Sequence, residues 1–161
     1  MSNPRDLLLH QLTQLLWVER MLVFEVLPKL QRQGRSQSLV QAFTEHLEQT
    51  RDHVGRVEQA FRTLASEPTA GRNEAMAALA SHHDEVAGSV VEPHLADLFH
   101  AAAAIHTEHL ELASYETAIA LARAMGAGEA ADLLEQNRSD EEHALEVLRG
   151  HADRLAQEAS T

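Results

Sequence analysis

Apolar residues recur every three or four positions along four long stretches of this chain. The simplest way to bury four such stripes at once is a bundle of helices. In the first stretch the stripe runs through Leu8, Leu12, Leu15, Leu16, Leu22, Val23, Val26 and Leu30. In the second it runs through Val40, Phe43, Leu47, Val54, Val57, Phe61 and Leu64. The third stretch covers roughly residues 95–125 and the fourth roughly 129–156, each helix being ~40 Å long at 1.5 Å per residue. Turn-forming segments at 33–38 and 126–128 are short, so each flanking pair of helices folds back as an antiparallel hairpin. The second stretch stops before Glu67 to Gly71; a shorter helix follows over about 73–87, broken again between Gly88 and Pro93. The expected fold is therefore all-α: an antiparallel four-helix bundle with an extra short helix in the long crossover between the second and third long helices.

Local signals agree with this plan. Asn3 is suited to cap the first helix, with Pro4 at its first helical position, where a missing N–H costs nothing. Pro28 is expected to kink that helix or end its regular part. Ser36 or Ser38 is the expected cap of the second helix.

The 161 residues fit one domain spanning 1–161, long enough for a self-sufficient core. The chain has no cysteine, so disulfides and thiolate metal sites are excluded, and any metal must take oxygen and imidazole ligands. A formal charge of -12 argues against a nucleic-acid partner. No apolar run approaches the ~20 residues that span a bilayer. The N-terminus has no signal-peptide pattern, which makes a cytoplasmic location the expectation.

Placing each glutamate at ~100° per residue against the stripe of its own helix singles out three. Glu19 falls at the centre of the first stripe, Glu108 within the third beside Ala101, Ile105, Leu112 and Tyr115, and Glu141 at the centre of the fourth between Leu134, Asn137 and Leu145. Glu111 flanks Glu108. Buried carboxylates are costly unless paired, protonated or bound to metal. On the second helix the inward position at this level is Thr50, with His46 and His53 beside it, while Glu48 lies off the apolar centre; an imidazole at 53 and a carboxylate at 48 both remain open. Inward glutamates with one or two histidines are the ligand type of carboxylate-bridged iron or manganese centres. The full pattern carries Glu-x-x-His on two helices, whereas this chain has Glu48-x-x-Arg51 and Glu141-x-x-Ala144.

The chain resembles the YciE/YciF group of bacterial ferritin-like proteins over nearly its whole length. The stretches that carry the resemblance are Val18 to Leu22, Leu27 to Leu30, His46 to Thr50 and Glu108 to Tyr115, together with the extra crossover helix. The resemblance implies a ferritin-like, rubrerythrin-like bundle, frequent dimerisation, a role in bacterial stress, and a di-iron centre. Glu19, Glu48, Glu108, Glu111 and Glu141 are the positions onto which that centre is carried, and Glu108-x-x-Glu111 looks like the Glu-x-x-Glu of the rubrerythrin third helix. Arg51 and Ala144 are departures from it.

The expected ligands of one or two iron or manganese ions are thus Glu19, Glu48, His53, Glu108, Glu111 and Glu141, serving ferrous oxidation or peroxide chemistry. The alternative is a non-catalytic oligomeric bundle in which Arg51, histidines and Tyr115 balance the carboxylates. His46, His109 and His143 rank below His53 as ligands, and the remaining histidines have no ligand-like spacing. Trp17, Met21 and Phe24 form a second apolar stripe on the first helix. This stripe is either the face of a homodimer or the seat of the short helix.

Overall fold

The computed structural model describes residues 1–160. Helix α1 spans Pro4–Met21 and passes without a break through a π-helical segment, Leu22–Val26, into α2, Leu27–Gln33. Helices α3 (Gln37–Thr63), α4 (Glu74–Ala87), α5 (Pro93–Ala124) and α6 (Gly128–Glu158) follow. The long helices pack in a ring, α1 on α3, α3 on α6, α6 on α5 and α5 on α1. This is the all-helical bundle expected, with α4 lying outside it against α5.

Asn3 caps α1 as expected: its Oδ1 accepts from the Asp6 N–H, and Pro4 opens the helix. The chain around Pro28 does not break. Proline lacks an N–H and leaves a carbonyl one turn back without its donor. Just ahead of it the chain widens by one residue, the Leu27 N–H bonding the Leu22 carbonyl, and helix then continues to Gln33. A π turn re-phases every side chain that follows it. Ser36 stands at the N-cap position of α3 but its side chain does not cap. Instead Asp97 of α5 accepts from the N–H groups of Arg35 and Ser36, at 2.9 and 2.7 Å, and so ties the first hairpin to the second.

Gly126 closes α5 at φ 72°, with the Ala127 N–H reaching back to the Ala122 carbonyl. Only glycine adopts that backbone without strain. The connector between α3 and α4 is laced to α1: the Gly71 N–H bonds the Thr13 carbonyl at 3.1 Å, and a Cβ on Gly71 would meet the Thr13 methyl at 2.7 Å. His83 of α4 and His100 of α5, both buried, share a hydrogen bond of 2.9 Å and hold α4 down. Lys29 adds an ion pair to Asp84 at 2.7 Å.

Two apolar clusters fill the bundle. One, near one end, contains Leu8, Leu12, Leu16, Phe61, Ile119 and Leu134; the other contains Val18, Leu22, Leu27, Phe43, Met76 and Leu148. Between them lies a layer of buried polar side chains. No helix among the described residues is long and apolar enough to cross a membrane.

The second stripe of α1 is divided. Arg72 lies over the Trp17 ring, 5.9 Å from its centroid, and Trp17 and Met21 are half-buried at the edge of the second cluster. Phe24, carried on the π segment, is 75% exposed. The α3–α4 connector thus covers part of the stripe through Arg72, the cluster beneath Trp17 and Met21 includes Met76 of α4, and Phe24 is left uncovered.

Candidate metal centre

Each long helix contributes to the polar layer through positions on its own stripe. Glu19 comes from α1, one turn beyond Leu15 and Leu16. His46, Thr50 and His53 come from α3, spaced four and three residues apart and so on one face. Glu108, Glu111 and Tyr115 come from α5, and Asn137 and Glu141 from α6. All nine are buried.

The ligand-type atoms converge in two groups of three, each group's atoms lying within 4.8 Å of one another: Glu19, His53 and Glu141; and His46, Glu108 and Glu141. Glu141 belongs to both. His53 Nδ1 stands 2.8 Å from Glu141 Oε1 and 3.5 Å from Glu19 Oε2. His46 Nε2 stands 3.3 Å from Glu108 Oε1 and 3.6 Å from Glu141 Oε2. Donors ~2.1 Å from a shared ion stand about 3–4 Å apart, which is the spacing found here.

These contacts are close, yet most are not directed as hydrogen bonds. Ten buried side-chain atoms lack a hydrogen-bond partner among the described residues, and nine of them belong to Glu19, His46, His53, Glu108, Glu111 and Glu141. Both Glu111 oxygens are among the nine. Buried polar atoms are ordinarily satisfied, so a concentration in one layer marks a place for something positive. The residues present fit a hard divalent cation: carboxylate oxygens with two imidazoles, and no soft donor.

The protonation states show the same tension. Burial alone would depress the His46 imidazole, but Glu108 and Glu141 overcome it and push its pKa up to about 9. Burial acts likewise on His53, and its contacts with Glu141 and Glu19 raise it to about 11. Burial and the Glu108 charge lift Glu141 to about 7, against the pull of both histidines. Glu111 rises well above the usual carboxylate range through burial and the charges of Glu141, Glu19 and Glu108.

A second layer fixes the first. Tyr115 donates its hydroxyl to Glu19 Oε1. Asn137 donates from Nδ2 to the Tyr115 hydroxyl at 2.9 Å and to the His53 carbonyl at 3.2 Å. His53 turns Nδ1 to the glutamates and Nε2 to Asp140, at 3.3 Å, and Arg56 bonds both Asp140 (2.8 Å) and Asn137 (3.0 Å). A carboxylate behind an imidazole is the usual device for orienting a metal-binding histidine.

Of the six residues expected as ligands, four stand in the two groups, Glu19, His53, Glu108 and Glu141. Glu111 is buried and feels the charges of Glu141, Glu19 and Glu108, but belongs to neither group. Glu48 stands apart. Its side chain is 64% exposed and pairs with Arg51, itself 53% exposed. The reason is helical phase: Glu48 is two residues from His46 and from Thr50, close to the opposite side of α3. Arg51 accordingly puts no fixed charge inside. His46, ranked below His53 from the sequence, occupies the second group; its spacing of four from Thr50 and seven from His53 was the available signal. His109 and His143 are exposed. Ala144, where the full pattern has a histidine, leaves space instead. A cavity of about 60 Å³ reaches His46 and Glu108 past Ala144, Glu45, Gln49 and His143.

The sequence profile of a family described as a domain of unknown function (DUF892) matches residues 3–161. Protein YciF of Escherichia coli (strain K12) is 32% identical over 142 residues, which is 88% of this chain and 85% of that protein. The crystal structure described as that of the E. coli stress protein YciF superposes with a TM-score of 0.92 at 30% identity, covering 98% of this chain and 99% of that one. YcfI of Rhodopseudomonas palustris, whose description offers a structural role, gives a TM-score of 0.89 at 32% identity, over 92% and 94% of the two chains. A Xanthomonas campestris protein, at 18% identity and a TM-score of 0.78, shares the fold.

Proposed function

The chain belongs to the DUF892 family, and from that premise we propose that it is a ferritin-like stress protein holding one or two iron or manganese ions between its four long helices. The observation that carries this reading is the sharing of Glu141 by two converging three-residue groups. Glu19, His53 and Glu141 would hold one ion and His46, Glu108 and Glu141 the other, with Glu111 buried nearby as a further charge. A pair of ferrous ions there would supply two electrons, enough to reduce a peroxide. The chain's own residues do the rest. Tyr115 and Asn137 keep the Glu19 carboxylate turned inward, and Asp140 keeps His53 Nδ1 facing the glutamates. The apolar clusters above and below keep water from the layer along the bundle axis. Burial and the neighbouring carboxylates favour the protonated form of Glu111, so an arriving cation would compete there with a proton.

Elemental analysis of protein purified from iron-supplemented cells, with anomalous scattering at the iron edge, tests the reading. One or two ions per chain at these residues, with ferrous oxidation or peroxide reduction, is the expected result. Protein free of iron and manganese and inert in both assays would overturn it.

A second reading rests on the two imidazoles. With pKa values pushed up to about 9 and 11, His46 and His53 are cationic at neutral pH and offset two carboxylates unaided. The chain would then be a non-catalytic oligomeric bundle. Its mark is a melting temperature that chelation leaves unchanged, since a ligand that binds only the folded state must stabilise it. Under either reading Phe24, exposed beside Met21 and Trp17, is the proposed centre of a homodimer face.

A further inference from the structure

A second and larger cavity meets the same layer from the opposite side. It occupies about 90 Å³ between the π segment, α2, α4 and α5. Leu22, Val26, Leu30, Met76, Phe99 and Ala103 give it a mostly apolar wall. Its polar lining is Lys29, His82, His83, Asp84, His106 and Thr107, with the side chains of Lys29 and Asp84 34% and 50% exposed. Its lining also includes Glu108 of the polar layer, which is only 2% exposed. The cavity near Ala144 meets the same glutamate, but its lining carries Glu45, Gln49 and His143. The centre is thus reached by one polar and one apolar approach.

The two approaches select different chemistry. A cation is poorly served by an apolar wall, and an anion would end against the Glu108 carboxylate. An uncharged molecule with a short alkyl body and an O–H head suits both ends, the body against the wall and the head donating to the Glu108 carboxylate. An apolar cavity of ~150 Å³ is known to take up benzene or xenon and exclude water, so about 90 Å³ suits a group of roughly four heavy atoms.

We propose that this cavity is a binding site for the alkyl group of a small organic hydroperoxide, its O–OH end directed at Glu108. The choice of a hydroperoxide over an alcohol rests on the peroxide chemistry proposed above; the binding of a short alkyl group beside Glu108 does not.

The test uses metal-free wild-type protein and two inert probes. Xenon under pressure is expected to appear in crystals between Leu22, Met76 and Ala103. tert-Butanol, the alcohol corresponding to tert-butyl hydroperoxide, is expected to shift the NMR signals of Met76 and Ala103 saturably. Ala103→Leu fills the space and is expected to abolish the xenon density and weaken tert-butanol at least about tenfold, the scale on which hydrophobic pockets discriminate by steric fit. No xenon at this position in the wild type, or tert-butanol shifts elsewhere or unaltered by Ala103→Leu, would overturn the proposal. Both probes report without metal: protein that binds tert-butanol but no iron defeats the metal reading and keeps the cavity. Protein that binds iron but neither probe defeats only the cavity.

Discussion

The imidazoles of His46 and His53, two turns apart on α3, stand with ring centroids 6.4 Å apart and edge to face, and Glu141 of α6 gives one oxygen to each. One helix thus supplies both nitrogen donors, and one carboxylate joins the two groups. Position 144 is alanine, and the second imidazole of the layer, His46, comes instead from α3. This asymmetry assigns separate consequences to separate residues.

If Glu141 joins two ion sites, its loss removes both, whereas loss of His46 weakens one. Glu141→Gln is expected to leave no bound iron, His46→Gln about half the wild-type stoichiometry, and Glu48→Gln all of it, because Glu48 faces solvent with Arg51. Atomic emission on the refolded, iron-reconstituted proteins reads all three. A wild-type iron content in Glu141→Gln would remove the shared-ligand arrangement.

Stability of the metal-free protein should fall as pH rises above neutral. The folded pKa values of His46 and His53, pushed up to about 9 and 11, exceed the unfolded value near 6.5. Their stabilising charge is therefore fully present below pH 6.5 and is lost as pH climbs through the folded values. Glu141, raised to about 7, adds a loss of the same sign between pH 4.5 and 7. Between pH 7 and 9 the decline is expected to be on the order of 1 kcal/mol or more per pH unit. A bound metal requires neutral imidazole and ionised carboxylate, so with saturating Mn²⁺ the trend from pH 6 to 8 should reverse. Urea melts at three pH values, with and without metal, measure both slopes.

Tyr115→Phe removes the hydroxyl that donates to Glu19 and accepts from Asn137, leaving both without that partner in a fully buried layer. Stranding buried polar groups costs about 1–3 kcal/mol, and the urea midpoint of the metal-free protein should fall accordingly. In a metal-bound protein Glu19 has a cation as its other partner, and the expected cost is smaller. Equal losses in both states would mean that Glu19 does not face the metal.

The helical phases were the legible part. Glu19, Glu108 and Glu141 were placed from the apolar stripes alone, because at ~100° per residue a carboxylate centred among leucines has nowhere else to go. The same phase already set Glu48 off-centre and left His46 and His53 beside Thr50; the resemblance carried Glu48 into the expected ligand set, and on α3 the phase outweighs it. What the stripes could not reveal was long-range. Asp140 and Arg56 reach the site from flanking positions on different helices, and nothing in either segment alone announces their meeting. The π turn before Pro28 was equally hidden: a proline demands that the helix accommodate it without saying how, and the accommodation decides which way Phe24 points.

Phe24 supplies the last test. A phenyl ring 75% exposed on the π segment contributes little to the stability of a single chain, so Phe24→Asp should leave the unfolding free energy of an isolated protomer within about 0.5 kcal/mol of wild type. At a homodimer face built with Met21 and Trp17 the same change would bury a charge against its own copy across a two-fold axis, a cost of several kcal/mol. Sedimentation velocity over a hundredfold range of concentration is expected to show a wild-type dimer and a Phe24→Asp monomer, both folded by circular dichroism. A Phe24→Asp protein that sediments as wild type at every concentration would move any interface away from this face. A monomeric wild type would remove the dimer itself.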